Sequence, residues 1–337
     1  MPIWIPITIA AALFQCLRTA LQKHLKGELS DVAATATRFF YAWPLAIVYL
    51  AGLMHYSKSS LPKLTVEFAA FLILGSVSQI LFTFLLIWMF SFRNFAVGNT
   101  YSKTETAQIA VLGFVILGDT ITSGAVVAIT ISAIGVLMLS AGKAGITLST
   151  LFSNLREKST LIGLTSGFFL GLSVIFYRGA SLSLIGGNEY LKAATTVAFS
   201  TGFQTLLLCI YLRVRQPGQI HRILCLWGKA GLVSSVSLIG SICWVTAFTL
   251  ENASFVRTLG QIELLFSLVM VWASAESGAS SGHASDQGEW WLVLRRLASG
   301  WLICSTSLRR PQASCPLSCK PLHSIYLWYV RRPAAKT

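Results

Sequence analysis

The sequence predicts an all-α polytopic membrane protein built from two inverted five-helix repeats, with the tenth helix missing or replaced. Three observations predict this class. Only 11% of the 337 residues are charged, against 54% hydrophobic, where a soluble domain carries about 25% charged residues. Nine segments are long and apolar enough to cross a bilayer. Short motifs recur in the two halves of the chain at a near-constant offset. The composition excludes a cytosolic enzyme, a secreted disulfide scaffold and a disordered chain. A formal charge of +14 raises the idea of a nucleic-acid binder. Such a protein gathers its charge on one solvated face, whereas this charge sits between apolar runs, so no nucleic acid is expected.

A helix needs about 20 apolar residues to cross the hydrocarbon core. The nine candidates are Pro2–Leu21, Ala33–Met54, Phe68–Phe90, Phe95–Leu117, Thr122–Ala141, Leu161–Leu184, Leu191–Leu212, Ala230–Leu250 and Ala253–Trp272. The first lacks a basic leading region and is too long for a cleaved signal. It also holds Gln15, Arg18 and Gln22, which suit a helix facing other protein. Gly163, Gly167 and Gly171 form a tandem stripe of small residues in the sixth span, and Gly124, Ala128 and Ser132 a looser one in the fifth. Stripes of this kind let helices approach closely in lipid. Cys16, Cys209, Cys225 and Cys243 lie singly in or beside apolar stretches, and Cys315 and Cys319 lack neighbouring His. No metal set, catalytic constellation or cofactor motif is present in this pattern.

Loop charge sets orientation. Loops after odd-numbered spans carry ten Lys and Arg, and those after even-numbered spans carry Lys58 and Lys63. The positive-inside rule then places odd loops in the cytoplasm and the N-terminus outside.

The self-comparison aligns Asn94, Thr100 and Glu105 with Asn252, Thr258 and Glu263 at an offset of 158. Ser76 and Ser78 meet Ser235 and Ser237 at 159, and Leu17 and Lys23 meet Leu172 and Arg178 at 155. An odd number of spans per repeat inverts the second copy, which is the architecture of secondary transporters with a site between the halves. The repeats fall at 1–143 and 160–272, joined by a loop at 144–159.

Phe95-Ala-Val-Gly98 with Lys103-Thr-Glu105, Leu117-Gly-Asp119, and Leu259-Gly-Gln-Ile-Glu-Leu-Leu-Phe266 resemble the EamA-type branch of the drug/metabolite transporter superfamily over about residues 1–272. The resemblance implies a ten-helix exporter of small metabolites in a cell membrane, such as the bacterial inner membrane. It also implies cytoplasmic termini, opposite to the loop count, so both orientations stand open. A small-molecule substrate and the bilayer are the expected partners, with a homodimer left open.

Residues 273–337 depart from this pattern. No run there reaches 18 apolar residues without charge, and the composition turns rich in Ser, Arg, Trp, Cys and Pro. A frameshift near codon 272 explains the abrupt loss. The competing reading is a native interfacial tail, with Trp290, Trp291 and Trp301 beside Arg295 and Arg296 at the headgroups. Gly278-Ala-Ser-Ser-Gly282 matches a hydrolase nucleophile motif, but lacks the strand and helix that motif needs.

Ionisable groups inside spans are functional candidates by default because burying them is costly. Glu105 and Glu263 lead, at matching points of the fourth and ninth spans. Apolar surroundings favour a protonated carboxyl, so the pair suits proton carriage or a cationic substrate group. A carboxylate neutralised by a nearby Lys or Arg to lock helices is the equal alternative. On a continuous helix Lys103 points away from Glu105, while Tyr101 and Gln108 share the Glu105 face. Arg18 and Arg38 suit a substrate carboxylate or phosphate, or a structural role. Gln79, Arg178, Gln204 and Gln261 are further polar residues in spans. These features point to a secondary transporter. The runner-up is a membrane-embedded enzyme on lipid-linked substrates, which needs clustered His, Asp or Cys. All five His fall outside the predicted spans. A third reading is a chain too damaged to transport.

Overall fold

The computed structural model describes residues 1–25, 28–89, 91–92, 95–119, 123–143 and 157–269. The chain divides into two units, Met1–Ala273 and Ser274–Thr337. The second unit, and with it the frameshift and interfacial-tail readings, lies outside the described residues, as does most of the 144–159 loop.

The helices follow in chain order: α1 (Trp4–Leu25), α2 (Asp31–Phe40), α3 (Ala42–Ser57), α4 (Val66–Met89), α5 (Phe95–Ser102) and α6 (Glu105–Leu112). A π-helical turn at Gly113–Leu117 leads to α7 (Ser123–Lys143), α8 (Lys158–Ser183), α9 (Glu189–Arg215), α10 (Gln219–Cys225), α11 (Trp227–Leu250) and α12 (Ala253–Gly260). A last helical stretch covers 263–269. The described residues hold no strand, only one isolated bridge between Lys63 and Ile185.

Local chemistry explains the main boundaries. Ser30 caps α2 by accepting from the Ala33 amide at 3.2 Å. Asn188 caps α9 through the Leu191 amide at 2.8 Å, and Asn252 caps α12 through Ser254 at 3.1 Å. Proline has no amide proton to give to the preceding turn. Pro44 therefore sits in the first turn of α3, and the second span bends at Tyr41 between α2 and α3.

Among the described residues, six helical segments are long and apolar enough to cross a membrane: Trp4–Gln22, Asp31–Ser57, Val66–Met89, Lys158–Ser183, Glu189–Arg215 and Trp227–Leu250. Large apolar side chains such as Val48, Val115, Ile131, Leu206 and Val214 lie on the outside, each more than half exposed. Water would penalise that surface and lipid would not.

α4 packs on α8, and α11 packs on α1; α9 lies against α2, α3, α4 and α11. The central core gathers Ala11, Phe82, Leu86, Met89, Ile109, Val174, Trp244 and Phe248. At one end Lys229 pairs with Glu28 at 2.5 Å, and Ser30 donates to Gln216 at 2.6 Å. At the other, the Lys63 amide donates to the Ile185 carbonyl at 2.9 Å. Loops after the first and seventh spans thus meet at one end, and loops after the second and sixth at the other.

The glycine stripe of the sixth span does what its spacing predicts. A Cβ at Gly163 would overlap the Gly98 carbonyl, and one at Gly167 would lie 2.8 Å from the Ser102 carbonyl oxygen. One at Gly171 would press on the side chains of Leu112 and Ile109 at 3.2–3.3 Å, with the nearest backbone atom, the Ile109 nitrogen, at 3.8 Å. α8 is therefore the seat for α5 and α6. The looser stripe of the fifth span differs, because Gly124 has nothing within 4 Å of its Cβ position.

The fourth and ninth spans are not continuous helices, contrary to the sequence expectation. Between α5 and α6 the chain makes a tight turn, with the Lys103 amide on the Thr100 carbonyl and the Thr104 amide on the Tyr101 carbonyl, both at 3.1 Å. Between α12 and 263–269 the Gln261 amide bonds Thr258 at 3.3 Å, and Ile262 bonds Leu259 at 3.1 Å. The two breaks fall at matching positions, 103–104 and 261–262. Each glutamate then opens a new helical segment, where the positive end of the helix dipole favours a carboxylate.

A buried polar centre between the broken spans

The breaks bring the leading candidates together in a crossed arrangement. Arg257 of α12 forms an ion pair with Glu105 at the start of α6. Lys103, in the first break, forms an ion pair with Glu263, just after the second break. Gln261 donates to Glu105 at 3.3 Å and to the Thr106 hydroxyl at 2.7 Å. Gln15 of α1 donates to Glu263 at 2.6 Å. Glu105, Glu263, Arg257 and Gln261 are buried, with Arg257 only 1% exposed. Low local dielectric strengthens these pairs and makes an unpaired member costly.

Sequence spacing suggests Arg257 as a neutralising partner of Glu263 six residues on. The fold instead sends Arg257 to the other half of the chain. Lys103 and Glu105 do not pair with each other, as expected, and each takes its partner from the other half of the chain. Tyr101 packs with Val97 and Leu164, and Gln108 donates to Thr104 at 3.0 Å.

Beside these pairs lies a cavity lined by Arg18 (α1), Arg38 (α2), Gln79 (α4), Tyr177 (α8), Trp244 (α11) and Arg257 (α12), among others. Water centres can sweep about 30 Å³ of it, room for roughly two waters at 10–15 Å³ each. Arg38 donates to the Thr83 hydroxyl at 3.0 Å and lies 5.2 Å from the centre of the Phe39 ring. Arg257 stacks over Trp244 at 4.7 Å, a cation–π contact strengthened by exclusion of water. One wall is a side-chain network. Tyr177 donates to Gln79 at 3.0 Å, and Gln204 donates to Tyr177 at 2.9 Å and to Gln79 at 3.1 Å.

Sequence reasoning missed Tyr177, Trp244, Thr83 and Thr106. Only Trp244 left a trace: Gly260 is the residue against which its ring packs, and a Cβ there would strike that ring. Away from the cavity, Gly118 turns the chain with a φ of +68°. It brings Asp119 to 3.7 Å from Arg178, whose guanidinium also donates to the Phe248 carbonyl at 2.5 Å. The Leu-Gly-Asp119 motif thus fastens the end of the fourth span to α8 and α11.

The apolar exterior, six membrane-length helices and buried polar centre define an integral, multi-pass α-helical membrane protein. Residues 2–141 match the model of the EamA-like transporter family. Over these residues the chain is similar to that family, as its motifs suggested, and the family is one of membrane transporters of the drug/metabolite superfamily. No curated protein matches the chain.

Proposed function

We propose that the chain is a secondary transporter that exports a small polar metabolite by alternating access, with two inverted repeats rocking against each other. The observation that carries this reading is the crossing of the broken spans: each glutamate is held from the opposite half of the chain. Movement of one half relative to the other must therefore break or remake both pairs. The repeat reading is supported by reciprocal packing, since α4 on α8 and α11 on α1 exchange with each other under the sequence offset. Lys103 and Gln261, at matching positions, each bond the glutamate of the other segment. Discontinuous helices at a midplane site are how secondary transporters present charge and helix ends to their cargo.

In this reading Glu105 and Glu263 also carry the coupling proton. Protonating either one removes the ion pair that latches the halves. The partners are a small-molecule substrate and the bilayer of a cell membrane, the bacterial inner membrane, with a homodimer left open. No reaction is catalysed.

The test is release from proteoliposomes loaded with radiolabelled amino acids, dicarboxylates and nucleosides, with and without an imposed pH gradient. Release of at least one compound, accelerated by the gradient, is expected. Release indifferent to the gradient overturns proton coupling. A second reading, a transport-incompetent damaged product, is favoured by the loss of repeat correspondence after residue 272. It is sustained if only a chain with a restored tenth helix transports.

A further inference from the structure

We infer that the central cavity binds a small dianion of the size of inorganic phosphate between Arg18 and Arg38. This rests on the transporter reading of the same cavity. The argument begins from charge. Four cations act on one another here, Arg18, Arg38, Lys103 and Arg257, with two carboxylates among them, Glu105 and Glu263. Lys103 and Arg257 take both carboxylates. Arg18 and Arg38 are each only 4% exposed, no carboxylate among the described residues lines the cavity they share, and a guanidinium does not shed its proton. Glu263 also attracts Arg18, but the group still holds two more cations than carboxylates, and Arg18 and Arg38 repel each other. Buried charges are retained when they are paired, so the missing partner is a ligand with two negative charges.

Hydrogen bonding gives the same answer independently. Four buried polar atoms on the cavity wall have no partner: Nε of Arg18, Nε of Arg38, Nε of Arg257 and the indole Nε1 of Trp244. All four are donors. Among the described residues that line the cavity directly no acceptor is left over; the orphaned Gln204 Oε1 lies behind them. A ligand that satisfies this wall consists of acceptors, as carboxylate and phosphate oxygens do, and guanidiniums bind both in forked geometry. A cationic substrate would add like charge to the site and leave all four donors unmet.

The experiment is equilibrium binding of radiolabelled inorganic phosphate to the full chain in lipid nanodiscs, with counterflow of the same probe in proteoliposomes. Saturable binding of phosphate is expected. It should weaken about tenfold or more in Arg18→Gln and in Arg38→Gln, recover in part in Arg18→Lys and Arg38→Lys, and persist in Lys229→Gln. Recovery with lysine separates loss of charge from loss of fold. Dianion binding without counterflow supports the inference and overturns the transporter reading. Counterflow of a zwitterionic or cationic compound without dianion binding overturns the inference and leaves the transporter reading. Equal binding by the Gln variants and the wild type also overturns it. Neither binding nor flux from monodisperse protein overturns both.

Discussion

Glu263 takes its ion pair from Lys103, a residue 160 positions earlier that belongs to the other broken span. The contact is reciprocated by Arg257 reaching back to Glu105. Removing one partner of a buried pair leaves an uncompensated charge and costs about 3–5 kcal/mol. Lys103→Ala and Glu263→Gln are each expected to destabilise the protein by that order, as is Glu105→Gln. The exchange Lys103→Glu with Glu263→Lys should recover part of the loss. Thermal unfolding in detergent micelles, arranged as a double-mutant cycle, measures this coupling directly.

The glycine stripe of α8 makes a graded prediction. Gly163 faces the Gly98 carbonyl, which is backbone and cannot turn aside, while Gly171 faces the ends of Leu112 and Ile109. Gly163→Ala should cost at least the 1–3 kcal/mol typical of overpacking. Gly171→Ala should cost less, because two flexible side chains have only a few tenths of an ångström to give. Unfolding midpoints of the two variants check the order.

Tyr177→Phe tests the wall of the cavity. Its hydroxyl links Gln79 and Gln204, but Gln204 keeps its bonds to Gln79 at 3.1 Å and to the Ser76 carbonyl at 3.2 Å. The expected cost is therefore near 1 kcal/mol, the low end of about 1–3 for a buried group losing a partner. Gln204→Leu removes the donor shared by all three acceptors and should cost more. The same thermal assay decides this.

Side-specific labelling tests the crossing pattern. Glu28 and Lys229 meet at one end, Lys63 and Ile185 at the other. In intact cells a membrane-impermeant maleimide should label only one of Glu28→Cys and Lys63→Cys, in a background without native cysteines. Labelling at position 63 alone agrees with cytoplasmic odd loops, as the loop charge expects, and labelling at 28 alone with the orientation implied by the family motifs. Labelling at both, or at neither after permeabilisation, contradicts the crossing pattern.

Hydropathy sufficed for most of the spans, because a long uncharged run is a physical requirement for crossing lipid. The stripe of Gly163, Gly167 and Gly171 was legible for a similar reason: close helix approach needs small residues at one spacing. The breaks at 103–104 and 261–262 were not. Lys103 and Gln261 are ordinary helix formers, and no Gly or Pro occupies either break. What the fold adds at each turn is a charged partner from the other half, Glu263 for Lys103 and Glu105 for Gln261. For the same reason Glu105 and Glu263 could be picked out singly, while their partners could not be paired. Sequence periodicity assigns faces within one helix, and these contacts join residues more than 150 positions apart. Tyr177 and Trp244 were hidden because aromatic residues in apolar runs look alike whether they face lipid, core or cavity.

Secondary transport by alternating access is the central claim, and counterflow measures it most directly. Proteoliposomes carrying the full chain are loaded with unlabelled substrate from the release panel and diluted into a trace of the labelled compound. The account predicts transient accumulation of label above its external concentration, absent when the vesicles are loaded with buffer alone. Uptake that only equilibrates, equal with and without internal substrate, contradicts it.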